Sequence, residues 1–114
     1  MSSEQRDIAD GTLVVRTAKE GDAHTISLCG ELDLANAGTA ETALGASLAE
    51  NAPQIVIDMR ELEFIDSTGI ALLVAALGNN GSDERVRFIP STAPAVTRVL
   101  ELTGLSERLP LAEA

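Results

Sequence analysis

Residues 66–69 read Asp-Ser-Thr-Gly, set between Glu63-Phe64-Ile65 and the apolar run Ile70–Leu77. A carboxylate and two hydroxyls thus stand at the mouth of a helix-forming segment. Asp66 or Ser67 can serve as N-cap, accepting from backbone N–H groups that a first helical turn leaves without partners. A cap needs one such residue, so the cluster offers more than capping requires. The same spot carries the positive end of the helix dipole, and Gly69 lets another surface approach the backbone closely.

Other residues could carry chemistry only in company they lack. Asp33, Asp58 and Asp66 are expected near the carboxyl ends of strands, where open α/β sheets place their sites. That would suit a magnesium-binding aspartyl-phosphate receiver. However, no paired acids follow the first strand, and the only lysine, Lys19, sits beside a turn. Metal ligands are therefore not expected. Asp58 is expected to accept backbone hydrogen bonds, and Asp33 to cap or to lie in a loop beside Asp66. His24, the only histidine, is read on the polar side of a strand, and no Gly-x-Ser-x-Gly elbow offers it a nucleophile. The glycines form neither a P-loop nor Gly-x-Gly-x-x-Gly, so no cofactor is implied. Glu61 and Glu63 read as a solvated loop, and Thr103 and Ser106 as surface or cap groups. No base, metal cluster or phosphate loop supports an enzyme.

Composition narrows the partners. The 114 residues carry 18 acidic and 8 basic side chains, a formal charge of −10. Nucleic acid and anionic membrane are polyanions and are disfavoured, whereas a basic protein surface is a natural mate. Two Phe, no Tyr and no Trp leave no platform for stacking bases. The single cysteine, Cys29, lies in an apolar run and reads as a buried, reduced thiol. The N-terminus has no apolar signal core, and Ile70–Leu77 is too short to span a bilayer. A soluble, cytoplasmic protein is expected.

Positioning Asp66–Gly69 requires a framework. Residues 1–10 read as a flexible N-terminus and 11–114 as one domain. Thr12–Ala18 and Ala23–Cys29 form strands joined by the Glu20-Gly21-Asp22 turn, a hairpin. Gly30-Glu31-Leu32-Asp33 closes the second strand. Asn36–Glu50 reads as a helix with Ala37, Ala40, Leu44 and Leu48 inward, broken by Pro53. Gln54–Met59 is the apolar run of a strand buried on both faces. Ser67–Leu77 is a helix with Ile70, Leu73, Val74 and Leu77 inward, ended by Gly78-Asn79-Asn80-Gly81. Arg85–Ile89 is a strand. A third helix opens at Pro90–Pro94, capped by Ser91 or Thr92, and buries Val96, Val99 and Leu100 before Gly104. Leu105, Leu109 and Leu111 pack back. The order β-β-α-β-α-β-α predicts an α/β fold with a single mixed sheet: a hairpin, then parallel βαβ units.

Four segments, in this order and spacing, resemble one family. They are Gly30-Glu31-Leu32-Asp33, Gln54–Asp58, Phe64-Ile65-Asp66-Ser67-Thr68-Gly69-Ile70 and Val99–Leu105. Together they look like the STAS domain, and more narrowly like the bacterial anti-sigma factor antagonists, over about Thr12–Leu111. The resemblance implies that Ser67 is phosphorylated. The kinase would be the anti-sigma factor itself, of the histidine-kinase-like ATPase type, and a metal-dependent, PP2C-like serine phosphatase would reverse the mark. It further implies that the unphosphorylated form binds that kinase and frees the sigma factor, through Asp33, Asp66, Ser67, Thr68 and Gly69. Thr68, about 100° further around a helix, is the competing acceptor. The alternative within the same fold is a stressosome-like scaffold subunit or a partner of a lipid-transport ATPase. Two departures stand out: Ile70 where leucine is common, and a segment 79–83 lacking the basic stretch often found there.

Overall fold

The computed structural model describes residues 4–50, 52–77 and 85–112. In chain order the elements are β1 (Glu4–Asp10), β2 (Leu13–Glu20), β3 (Ala23–Leu32), α1 (Ala37–Ala49), β4 (Gln54–Asp58), β5 (Leu62–Ile65), α2 (Ser67–Ala76), β6 (Val86–Ile89) and α3 (Pro94–Leu102), followed by a 3-10 turn at Leu105–Glu107. Six strands make one sheet in the order β1-β2-β3-β4-β6, with β5 also paired to β3. The β1-β2 and β2-β3 pairs are antiparallel; β3-β4, β3-β5 and β4-β6 are parallel. The mixed α/β sheet expected from the sequence is what forms, with two additional strands.

The first addition is β1. Residues 1–10 read as a flexible terminus, but Glu4–Asp10 pairs along its whole length with β2. Its side chains from Gln5 to Ala9 are exposed, so no apolar alternation marks it. The second is β5, where Glu61 and Glu63 were expected in a loop. Leu62 and Ile65 are buried at its ends while Glu63 and Phe64 are exposed.

Strand β3 is the axis of the fold. Its first half pairs with β4 and its last residues with β5. The register shifts at Gly30, whose φ is +101°. A Cβ there would sit 2.1 Å from the Thr12 carbonyl oxygen, so only glycine fits the bulge. The bulge carries β3 on into Leu32, which ends beside the start of α2.

The core lies between one sheet face and the helices. Ile26, Leu28 and Ile57 of the sheet enclose, with Ala40 and Leu44 of α1 and Leu72 and Leu73 of α2, a common apolar interior. The α1 stripe agrees with the spacing prediction: Ala37, Ala40 and Leu44 are buried and Leu48 packs against the core. In α2 the phase differs. Gly69, Leu72, Leu73 and Ala76 face inward with Leu77, whereas Val74 is 41% exposed and Ile70 only partly covered. The segment is apolar all round, and the close seat of Gly69 decides which side turns in. The expected helix stop at 78–81 lies outside the described residues.

Helix α3 begins at Pro94 with Ala93 as N-cap and no capping side chain. Ser91 is instead buried, donating to the Leu62 carbonyl at 2.7 Å and accepting from Ala93 N at 3.0 Å, which ties the entry of α3 to β5. Val96 and Leu100 are buried and Val99 half-covered. Gly104, at φ +77°, ends the helix. Leu105 and Leu109 join the core. Leu111 is 57% exposed, yet its backbone forms a parallel bridge with Phe88 on the outer edge of β6.

Candidate functional site

Asp66, in extended conformation, is the N-cap of α2. Its Oδ1 accepts from Thr68 N at 2.9 Å and Gly69 N at 3.1 Å, satisfying two donors of the first turn. Its Oδ2 accepts from Leu34 N at 3.2 Å, reaching across to the β3–α1 loop. Its own N–H donates to the Leu32 carbonyl. One carboxylate therefore fixes the start of α2 and the neighbouring loop together.

Asp33 shapes that loop from inside. Its Oδ1 accepts from Ala35 N at 3.0 Å, and its carbonyl accepts from Asn36 N and Ala37 N. Asn36, 2% exposed, closes the turn: Nδ2 donates to the Glu31 carbonyl and Oδ1 accepts from Asp33 N, both at 3.0 Å. The sequence did not single out Asn36; an amide immediately before an alanine-rich helix was its only signal. Asp33 and Asp66 are thus brought into one unit, joined through the backbone of Leu34.

Ser67 is exposed as the first residue of α2, and its hydroxyl makes no hydrogen bond among the described residues. Thr68 is half-buried, and gives the cap its backbone N–H rather than a capping side chain. It lines a shallow groove between α1 and α2 with Leu34, Ala37, Ala71 and Ala75. Gly69 is buried, and the close approach it permits is internal. A Cβ there would lie 2.6 Å from Ile65 Cγ1 and 3.0 Å from Leu32 Cδ2. Gly69 thus seats α2 on the ends of β3 and β5. Of the two hydroxyls, Ser67 is the more accessible to an incoming group.

The remaining candidates lie elsewhere. Asp58 accepts one backbone N–H, from Arg60, and is otherwise engaged by the Arg60 guanidinium at 2.8–3.2 Å. That partner is the main reason its carboxyl titrates below the usual carboxylate range. Cys29 is half-buried, and burial first, then the Glu61 carboxylate, pushes its thiol up, away from a reactive thiolate. His24 runs in phase with the buried Ile26 and Leu28, so it is on the helix side of β3 and not on the polar side. Its Nδ1 is buried without a hydrogen-bond partner. It borders a cleft between β1, β2 and the C-terminal half of α1, where Lys19 and Glu50 pair at 2.6 Å. That cleft sits at the opposite end of β3 from Ser67. Among the described residues no group of three or more His, Cys, Asp or Glu could hold a metal ion, and no helix is long and apolar enough to cross a membrane.

Comparison with known proteins identifies the fold and the family. A family pattern described as "Mlab, STAS domain" matches residues 15–112. The anti-sigma-F factor antagonist RsfB of Mycobacterium tuberculosis is 32% identical over 100 residues, which span 87% of this chain and 80% of RsfB. The crystal structure of an anti-sigma factor antagonist from Mycobacterium paratuberculosis superposes with a TM-score of 0.79 at 29% identity, covering 93% of this chain and 90% of that one. The antagonist SpoIIAA shares the fold at 20% identity. Its unphosphorylated form gives a TM-score of 0.68 over 87% of this chain and 88% of that one. Its phosphorylated form gives 0.61 over 87% and 91%. The chain belongs to the STAS domain family, with the anti-sigma factor antagonists as its relatives.

Proposed function

We propose that this protein is an anti-sigma factor antagonist switched at Ser67. Unphosphorylated, it binds an anti-sigma factor that is a serine kinase of the histidine-kinase-like ATPase type, and so releases a sigma factor. Phosphorylation of Ser67 blocks that contact, and a PP2C-like serine phosphatase restores it. The protein is a binding regulator rather than an enzyme, and works in the cytoplasm without touching nucleic acid or membrane. The observation that carries the reading is the Ser67 hydroxyl, exposed and, among the described residues, without a hydrogen bond at the start of α2, on a turn held rigid by Asp66.

The switch follows from charge. A neutral hydroxyl enters an interface at little cost, whereas a phosphoserine brings about −1.5 to −2 charges. The spare N–H groups that a helix start usually offers an anion are mostly engaged here, because Asp66 Oδ1 holds those of Thr68 and Gly69. The phosphate would stand beside that carboxylate on a chain of formal charge −10. Burying it against a partner shaped for a hydroxyl costs several kcal/mol, and each ~1.4 kcal/mol is tenfold in affinity. No change of fold is needed.

The test is intact mass after incubation with ATP and purified ATPase-type anti-sigma proteins, for wild type, Ser67→Ala and Thr68→Ala. One added phosphate, lost only in Ser67→Ala, is expected. Amide NMR shifts upon phosphorylation should stay near residues 32–36 and 66–70; rearrangement throughout the sheet would contradict a local switch. Tight binding without phosphate would leave an unregulated antagonist or scaffold. Neither phosphate nor binding would point to a transport-associated role instead.

A further inference from the structure

We infer that Leu34 is the apolar anchor of the partner contact, and that the anti-sigma partner receives it in an apolar pocket with a basic rim. The inference rests on the antagonist reading above and adds to it the surface and the chemistry of the mate. Leu34 is 77% exposed, next to a fully structured turn. Its N–H is held by Asp66, the next N–H by Asp33, and the turn is closed by buried Asn36. A large apolar side chain is therefore presented to water on a backbone with little freedom left to lose. With the ordering cost already met in the free protein, more of the contact energy of such a residue is kept as affinity. The adjoining groove carries Glu41 and Leu72 among the small residues Ala37, Gly38, Ala71 and Ala75.

Charge selects what closes around it. All eight basic residues lie at positions 6, 16, 19, 60, 85, 87, 98 and 108. Residues 31–59 and 61–84, which supply α1, α2 and both site loops, contain acids but no Lys, Arg or His. Glu41 lines the same groove as Leu34. A second copy of this chain, a nucleic acid or an anionic membrane would each bring like charge to this face. A basic protein surface is drawn to it and associates faster at low salt.

The test is binding of purified ATPase-type anti-sigma proteins to wild type, Leu34→Ala, Leu34→Met and Leu102→Ala, measured by biolayer interferometry across a salt series. Leu102, 80% exposed at the end of α3, controls for loss of surface leucine in general. Leu34→Ala should weaken binding by about tenfold or more, Leu34→Met should restore most of it, and Leu102→Ala should stay within about twofold. The association rate should fall steeply with added salt for wild type and Leu34→Ala alike. Wild-type binding that Leu34→Ala leaves within about twofold, or an association rate indifferent to salt, overturns this inference while leaving the antagonist reading standing. Failure of wild type to bind any candidate removes both.

Discussion

The backbone N–H of Leu34 donates to Asp66 Oδ2 at 3.2 Å, joining the β3–α1 loop to the start of α2 across 32 residues of sequence. Because the other oxygen of the same carboxylate caps α2, Asp66→Ala removes both anchors at once. The expected loss is about 1–2 kcal/mol of stability, the range of a lost N-cap, read from urea unfolding. Hydrogen exchange at the Leu34 amide should accelerate in parallel. Asp66→Asn keeps a single acceptor oxygen and should fall between. An unchanged Leu34 amide in Asp66→Ala would mean that the loop holds itself.

Gly69→Ala sets two effects against each other. Within a helix, replacing glycine by alanine ordinarily gains about 1 kcal/mol. Here the new methyl would meet Ile65 Cγ1 at 2.6 Å and Leu32 Cδ2 at 3.0 Å, both on buried side chains. Overpacking of that kind costs about 1–3 kcal/mol, so net destabilisation is expected in thermal unfolding. A midpoint raised by the substitution would show that α2 can lift off the strand ends freely.

Asp58 gives a pH-dependent signature away from the site. Its carboxyl is held below the ordinary range chiefly by hydrogen bonds from the Arg60 side chain, then by the Arg60 backbone N–H, against the opposing effect of burial. A lowered folded-state value means that the native state favours the charged form. The resulting stability is fully present above the unfolded carboxylate value and is lost as pH falls through the folded one. Arg60→Gln should therefore raise the Asp58 titration midpoint, followed by carboxyl NMR, and narrow the stability difference between neutral and acid pH. Identical titration curves in both proteins would contradict the assignment.

The elements hidden from sequence reading share a physical cause. β1 shows no alternation because an edge strand covered on neither face needs none. β5 is four residues long and leaves Glu63 and Phe64 exposed between buried Leu62 and Ile65, so neither an apolar run nor an alternation marks it. The phase of α2 was unreadable in a segment apolar on all sides, until Gly69 met Leu32 and Ile65. His24 was misplaced because a polar residue two positions before Ile26 looks like the polar face, although the two-residue period puts it inward. Asp66 and Ser67 were legible, since a cap and a hydroxyl at a helix mouth are local features. The bond between Asp66 and the loop was not, because its donor is a main-chain N–H that leaves no mark on residue type. The role of Leu34 is hidden in the same way, since it depends on exposure and on a main-chain tether together.

At the outer side of β6, Phe88 N donates to the Pro110 carbonyl and Ala112 N to the Phe88 carbonyl. The chain's own tail thus occupies hydrogen-bonding positions that another molecule's strand could otherwise take. At the opposite end of the sheet, no described strand pairs with the outer side of β1, and its sequence EQRDIAD carries charge at four of seven positions. Two copies pairing antiparallel about their midpoints would set Asp7 against Asp7. The sheet is in this way guarded at both edges against pairing with further copies of itself.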